Sequence, residues 1–162
     1  MRAAVLALVV VAGFGAGCGG DEGSDRGGRS PTGSGPRTPS IRTPEGVIRA
    51  WADTLRSGDV RGAAEFFSLP SVVSNGTPPI VLRTKAEVRG FNAALPCGAR
   101  LLRTYSAGRY TTAVFRLTER PGPGRCGAGV GQTARTTFVV RDGKIRQWRR
   151  VADSPARSGP VV

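Results

Sequence analysis

The sequence predicts an α+β fold in which a curved antiparallel sheet forms a cone around three N-terminal helices. Three observations predict it. Apolar residues recur at helical spacing in three segments between Thr43 and Leu95. From Ala99 the period drops to two and holds through four segments to Ala152. Turn signals at Ala107-Gly108, a Pro/Gly-rich stretch at 120–131 and Asp142-Gly143 separate those four segments, so they read as a meander. Helices grouped ahead of strands point to segregated layers rather than an alternating α/β chain.

The first helix starts at Thr43-Pro44-Glu45. Thr43 suits the cap, Pro44 the first helical position and Glu45 the positive end of the dipole. Val47, Ile48, Trp51, Ala52 and Leu55 then share one face, and Ser57-Gly58 stops the helix. Asp59 caps a shorter second helix with Val60, Ala63, Ala64 and Phe67 inward, ended by Leu69-Pro70. Two short strands are expected at Ser71–Ser74 and Ile80–Leu82, with Asn75-Gly76 and Pro78-Pro79 as turns. Thr84 and Glu87 form a Thr-x-x-Glu capping box before Val88, Phe91 and Leu95, and Pro96 closes this third helix. The meander strands are expected at Ala99–Ser106, Arg109–Glu119, Gln132–Val140 and Ile145–Ala152.

Ahead of this domain, Met1-Arg2 is basic, residues 3–12 are an unbroken apolar run, and small residues lead to Gly17. That order is a secretory signal, too short for a membrane span of about 20 apolar residues. Ala16-Gly17-Cys18 resembles the bacterial lipoprotein signal, which implies a diacylglyceryl group on Cys18 as the first mature residue. An ordinary signal peptide containing a cysteine is the alternative. Two acyl chains suffice for stable anchoring. The expected location is therefore the extracytoplasmic face of the cell membrane, lipid-anchored. Residues 18–42 are Gly, Ser and Pro with scattered charge, unable to bury enough apolar surface to fold. Such a tether reaches about 25–30 Å. The parts are thus signal 1–17, lipidated tether 18–42, domain 43–153 and a loose polar tail 154–162.

The chain of 162 residues carries a net charge of +13 and no His. From Glu45 onward 19 basic and 8 acidic residues leave +11. This charge favours anionic partners, among them acidic lipid head groups and cell-wall polymers. No recognition motif or aromatic-studded basic patch points to nucleic acid. Absence of His removes the usual general base, the usual zinc ligand and the Ser-His and Cys-His pairs. No metal and no cofactor is expected. With Cys18 assigned to the anchor, Cys97 and Cys126 remain in a compartment that permits disulfides. They are expected to pair, two unrelated buried thiols being the alternative.

The residues Pro44-Glu45-Gly46-Val47-Ile48-Arg49-Ala50-Trp51, leading into Gly58-Asp59, resemble the opening of the SnoaL-like group of the nuclear-transport-factor-2-like superfamily. Val139-Val140-Arg141-Asp142-Gly143-Lys144-Ile145 resembles the final hairpin of that group. The resemblance spans the whole domain. It implies the cystatin-like cone, a pocket between the concave face of the sheet and the helices, and an outer sheet face that often forms homodimers. Isomerases, cyclases, dehydratases, transport adaptors and lipoproteins share this fold, so the fold alone does not name an activity.

Enzymes of the group use a pocket carboxylate as base with an acidic donor such as Tyr. The candidates here are Asp53, Glu119 and Tyr110, with Glu65 and Tyr105 behind them. Each has a plainer reading. Asp53 and Glu65 suit solvated helix faces, paired with Arg56 or Arg61, and both tyrosines suit rim or core packing. Nothing in their spacing converges on a base and a donor. Candidate pocket residues are Trp51, Phe91, Phe115, Gln147 and Arg149, with Thr136 as another inward position, depending on hairpin register. Trp148, among Arg146, Arg149 and Arg150, reads as stacked on a guanidinium or as part of a subunit contact. The expected function is a non-catalytic module that binds a ligand or a protein at the membrane. An isomerase or dehydratase of the ketosteroid-isomerase sort is the alternative.

Overall fold

Helix α1 (Pro44–Arg56) begins where the sequence places it, with the Thr43 hydroxyl accepting from the Gly46 N–H at 3.1 Å. The computed structural model describes residues 42–151. Cys18, the signal, the tether and the tail lie outside the described residues. Glu45 pairs with Arg49 at 2.8 Å and accepts from Thr104 at 3.1 Å, tying α1 to the sheet. Gly58 follows the helix at φ +91°, and a Cβ there would meet Pro121 at 3.0 Å, so both backbone and space require glycine.

Helix α2 (Val60–Ala64) is capped by Asp59, which accepts from the Gly62 N–H at 2.8 Å. It ends earlier than its apolar spacing suggests. Phe67 is buried as expected, but as the first residue of strand β1 (Phe67–Ser74) rather than on the helix. Leu69-Pro70 therefore lies inside a strand, where the register with its neighbour is irregular between Phe67 and Val72. An irregularity of that kind accommodates a residue without an N–H. Strand β2 (Ile80–Leu82) pairs with β1, and helix α3 (Lys85–Ala94) carries the full capping box between Thr84 and Glu87.

Strands β3 (Gly98–Ala107), β4 (Tyr110–Thr118), β5 (Thr133–Arg141) and β6 (Lys144–Val151) form the meander, each within a residue or two of its expected bounds. A 3-10 turn at Gly127–Gly129 interrupts the loop between β4 and β5. The sheet has six strands in the order β2-β1-β6-β5-β4-β3. All pairs are antiparallel except β1 with β6, which run parallel. The meander, β3 to β6, is antiparallel throughout, and the parallel pair joins β1 to its last strand. Single extra residues at Leu102 in β3 and Arg146 in β6 shift the register. Bulges of this kind bend strands and let the sheet curve.

The core lies between the concave face and the helices. Trp51 of α1 sits at its centre, with the rings of Phe67, Phe115, Phe138 and Trp148 edge-on at 5.7–6.5 Å. Phe91 of α3 packs edge-on against Trp148 at 5.1 Å and Phe67 at 6.0 Å. The disulfide Cys97–Cys126, with Cα atoms 4.5 Å apart, fastens the Pro/Gly loop to the start of β3.

Candidate functional site

Where the resemblance implies a pocket, the concave face holds a small cavity of about 60 Å³. Trp51, Ala52 and Leu55 of α1 form one wall, and Leu95, Cys97 and Ala99 form the corner between α3 and β3. Phe115 and Leu117, Ala134 and Thr136, and Trp148 and Arg150 line it from β4, β5 and β6. Beside it the aromatic cluster around Trp51 packs between sheet and helices.

Trp51 and Phe115 line this cavity, both about 3% exposed. Phe91 belongs to the packed cluster beside it. Gln147 and Arg149 are corrected: they do not face the cavity. The extra residue Arg146 shifts the β6 register, so Val140 opposes Ile145 while Val139 opposes Gln147. Trp148 and Arg150 thereby turn inward, and Gln147 and Arg149 turn to the opposite face. Thr136 points inward, 4% exposed. A bulge leaves no signature in alternating Arg, Gln and Trp, which is why Arg150 escapes a reading by period alone.

Trp148 is also corrected. It is 5% exposed and packs on Trp51 and Phe91 instead of stacking on a guanidinium. The cation–π contact runs between Arg109 and the Tyr110 ring, at 4.9 Å. The Trp148 Nε1–H is buried and has no hydrogen-bond partner among the described residues.

The catalytic candidates do not converge. Asp53 is exposed and pairs with Arg56 at 3.0 Å. Glu65 is exposed and pairs with Lys85 at 3.1 Å rather than with Arg61. Glu119 is turned to the loop, where its oxygens accept from the Cys126 and Gly127 N–H groups at 3.2 and 3.1 Å. Tyr105 and Tyr110 are exposed, and the Tyr110 hydroxyl accepts from Arg109 at 2.7 Å. Among the described residues no carboxylate lines the cavity. Its polar groups are the Thr136 hydroxyl and the Arg150 guanidinium, beside the Trp148 indole. Such a set can hold an apolar body with an anionic or acceptor end. It offers no general base at neutral pH.

No protein-family model matches the chain, and no curated protein matches it. Solved structures do. A proposed polyketide cyclase from Sinorhizobium meliloti aligns with a TM-score of 0.52 at 17% identity, over 70% of this chain and 100% of its own. A nuclear-transport-factor-2-like protein of unknown function from Cytophaga hutchinsonii aligns with a TM-score of 0.53 at 8% identity, over 68% and 90%. A designed protein with a curved β-sheet aligns with a TM-score of 0.51 at 16% identity, over 67% and 84%. The likeness establishes the nuclear-transport-factor-2-like fold and, at these identities, the fold alone.

Proposed function

We propose that this chain is a non-catalytic binding module, held at the extracytoplasmic face of a membrane by a lipidated Cys18. One observation carries the reading of the domain. The space in which an enzyme of this fold would hold its base is occupied by Trp51, Phe115, Phe138 and Trp148, and the remaining cavity is bordered by no carboxylate among the described residues. What that cavity supplies is an apolar wall, a hydroxyl and a cation. The ligand it suits is small, apolar in body and anionic at one end, with the anion at Arg150.

Short alkyl carboxylates serve as probes, read by the fluorescence of Trp51 and Trp148, which line the cavity. Saturable quenching, weakened by Arg150→Met, is the expected result. Turnover of a ketosteroid that Asp53→Asn or Glu119→Gln abolishes would replace this reading with the isomerase alternative. The anchor is tested separately: metabolic labelling with palmitate should mark the chain, and Cys18→Ser should abolish the label.

A further inference from the structure

Among the described residues the helices pack on one face of the sheet, the face that carries the core. On the other, the pairing registers place Arg100 opposite Arg116, Arg103 and Arg135 on either side of Val114, and Arg149 opposite Thr137. Arg141 ends β5 on the same face. All six arginines are exposed, and none joins an ion pair among the described residues. Asp142, in the last hairpin turn, is the carboxylate closest in sequence, and it faces Arg146 at 3.7 Å. The remaining carboxylates of the described residues lie on the helices and their caps, apart from Glu119, which is turned to the loop backbone.

Folding does not explain this arrangement. Like charges directly opposite one another across a strand pair destabilise it. Val114 is only 3% exposed, with the exposed arginines Arg103 and Arg135 as its partners on the two neighbouring strands; arginine stems lie along apolar surface while their charged heads stay in water. At the end of the face nearest the hairpin turns, three arginines, Arg109, Arg141 and Arg146, rim a depression of about 390 Å³ with Gln147 and a single carboxylate, Asp142, the one that faces Arg146. Tyr105 and Tyr110 stand at the same end, 46% and 37% exposed. A second copy packed here about a two-fold axis would set this cationic grid against itself, which disfavours the homodimer that the resemblance implies.

We propose that this arginine face docks the protein onto the phosphate head groups of an anionic membrane. Charge complementarity selects the sign of the partner. Shape selects a surface: the grid spans four strands, about 14 Å across at ~4.8 Å per strand, and is broad and open rather than a groove that would track a single polymer. Exposed tyrosines beside arginines are the side chains that settle at a membrane–water interface. The inference deepens the proposed function by giving the module a partner, yet it does not need the anchor. Failure of Cys18 acylation would leave it standing.

The test is sedimentation of the full chain carrying Cys18→Ser with vesicles of phosphatidylglycerol and phosphatidylcholine, against phosphatidylcholine alone. Binding should require phosphatidylglycerol and weaken with salt. Arg149→Gln should cost about fivefold in affinity and Arg103→Gln/Arg135→Gln/Arg149→Gln about a hundredfold, while the matching lysine triple keeps most of the binding. The helix-side triple Arg61→Gln/Arg83→Gln/Arg89→Gln should stay within about twofold, because attraction to anionic head groups fades within a Debye length of the membrane surface. Equal binding to neutral vesicles, an equal loss from the helix-side triple, or retention by soluble polyphosphate without vesicle binding would each overturn the proposal. So would a dimer in solution that the sheet-face triple dissociates.

Discussion

Trp51 donates its indole N–H to the carboxamide oxygen of Asn92 at 2.9 Å, and both side chains are buried. Asn92 in turn donates to the Val88 carbonyl at 2.9 Å, so its amide is held by its own helix. This pair joins α1 to α3 inside the core. Asn92→Ala removes the acceptor and leaves a buried donor and a void. It should cost about 2–3 kcal/mol in urea unfolding. A double-mutant cycle with Trp51→Phe should return a coupling of about 1 kcal/mol or more. Additive losses would mean that the bond contributes nothing specific.

Cys97 and Cys126 are 29 residues apart, and their bond fastens a loop with little core of its own. Loop-closure entropy for that length gives about 3–4 kcal/mol. Cys97→Ser/Cys126→Ser should lose about that much and should expose 120–131 to protease before the sheet unfolds. A double variant as stable as the parent in reducing and oxidising buffer alike would count against the estimate.

Much of this fold is legible in the residues, because local chemistry and tertiary structure agree there. Thr43, Asp59 and the Thr84–Glu87 box cap the helices that the sequence assigns to them. Asp142-Gly143 turns the last hairpin, with both residues at positive φ. What escapes is set by the partners of a segment. Phe67 to Pro70 reads as the end of a helix until β6 is present to pair with it, Ile145 donating to the Phe66 carbonyl at 2.8 Å. The inward stripe of α3 reads as Val88, Phe91 and Leu95, and an asparagine within it has no meaning before Trp51 is opposite. Gln147 and Arg149 exchange faces with Trp148 and Arg150 through one extra residue, since a shift of one flips every side chain beyond it.

Arg120 is another buried polar group, and it joins no ion pair among the described residues. It is 7% exposed and donates to the carbonyls of Asn92, Ala93 and Leu95 at the end of α3 and to Pro121. The last carbonyls of a helix run out of intrahelical donors, and here the Asn92 carbonyl also accepts from the Leu95 N–H at 3.3 Å, so the guanidinium acts as a C-terminal cap from across the fold. Burial lowers its pKa from the ordinary value, a desolvation cost that the bonds offset. Arg120→Met should destabilise by about 2–3 kcal/mol, and Arg120→Lys by less. Hydrogen exchange should report the loss first in the last turn of α3.

Acid should weaken the fold through two glutamates. The bond from Arg49, helped by Thr104, holds the Glu45 pKa below the usual carboxylate value. The Arg83 and Thr84 N–H groups and the Thr84 hydroxyl do the same for Glu87. A folded pKa below the unfolded one gives stability that is present above the unfolded value, ~4.3, and lost as pH falls through the folded value. The melting temperature should therefore drop below about pH 4.3, and Glu45→Gln/Glu87→Gln should flatten that part of the curve. An unchanged acid limb in the double variant would assign the loss to other groups.

The cavity makes a prediction of its own, independent of any ligand. Ala134 lines it, while Ala113, on the neighbouring strand and wholly buried, lies in the packed core and does not. Enlarging a side chain in a filled core forces its neighbours off their rotamers and costs about 1–3 kcal/mol. Ala113→Val should show that cost. Ala134→Val sends its added methyl groups toward the space beside Thr136, so the loss should be under about 1 kcal/mol and could reverse sign, because a void withholds contacts that a methyl group restores. The same substitution should also abolish quenching by the carboxylate probes, since the space they need is taken. Urea midpoints for the two variants, measured side by side, separate the cases. Equal destabilisation would mean that the space beside Thr136 is closed in solution, and the carboxylate binding proposed for it would fall with it.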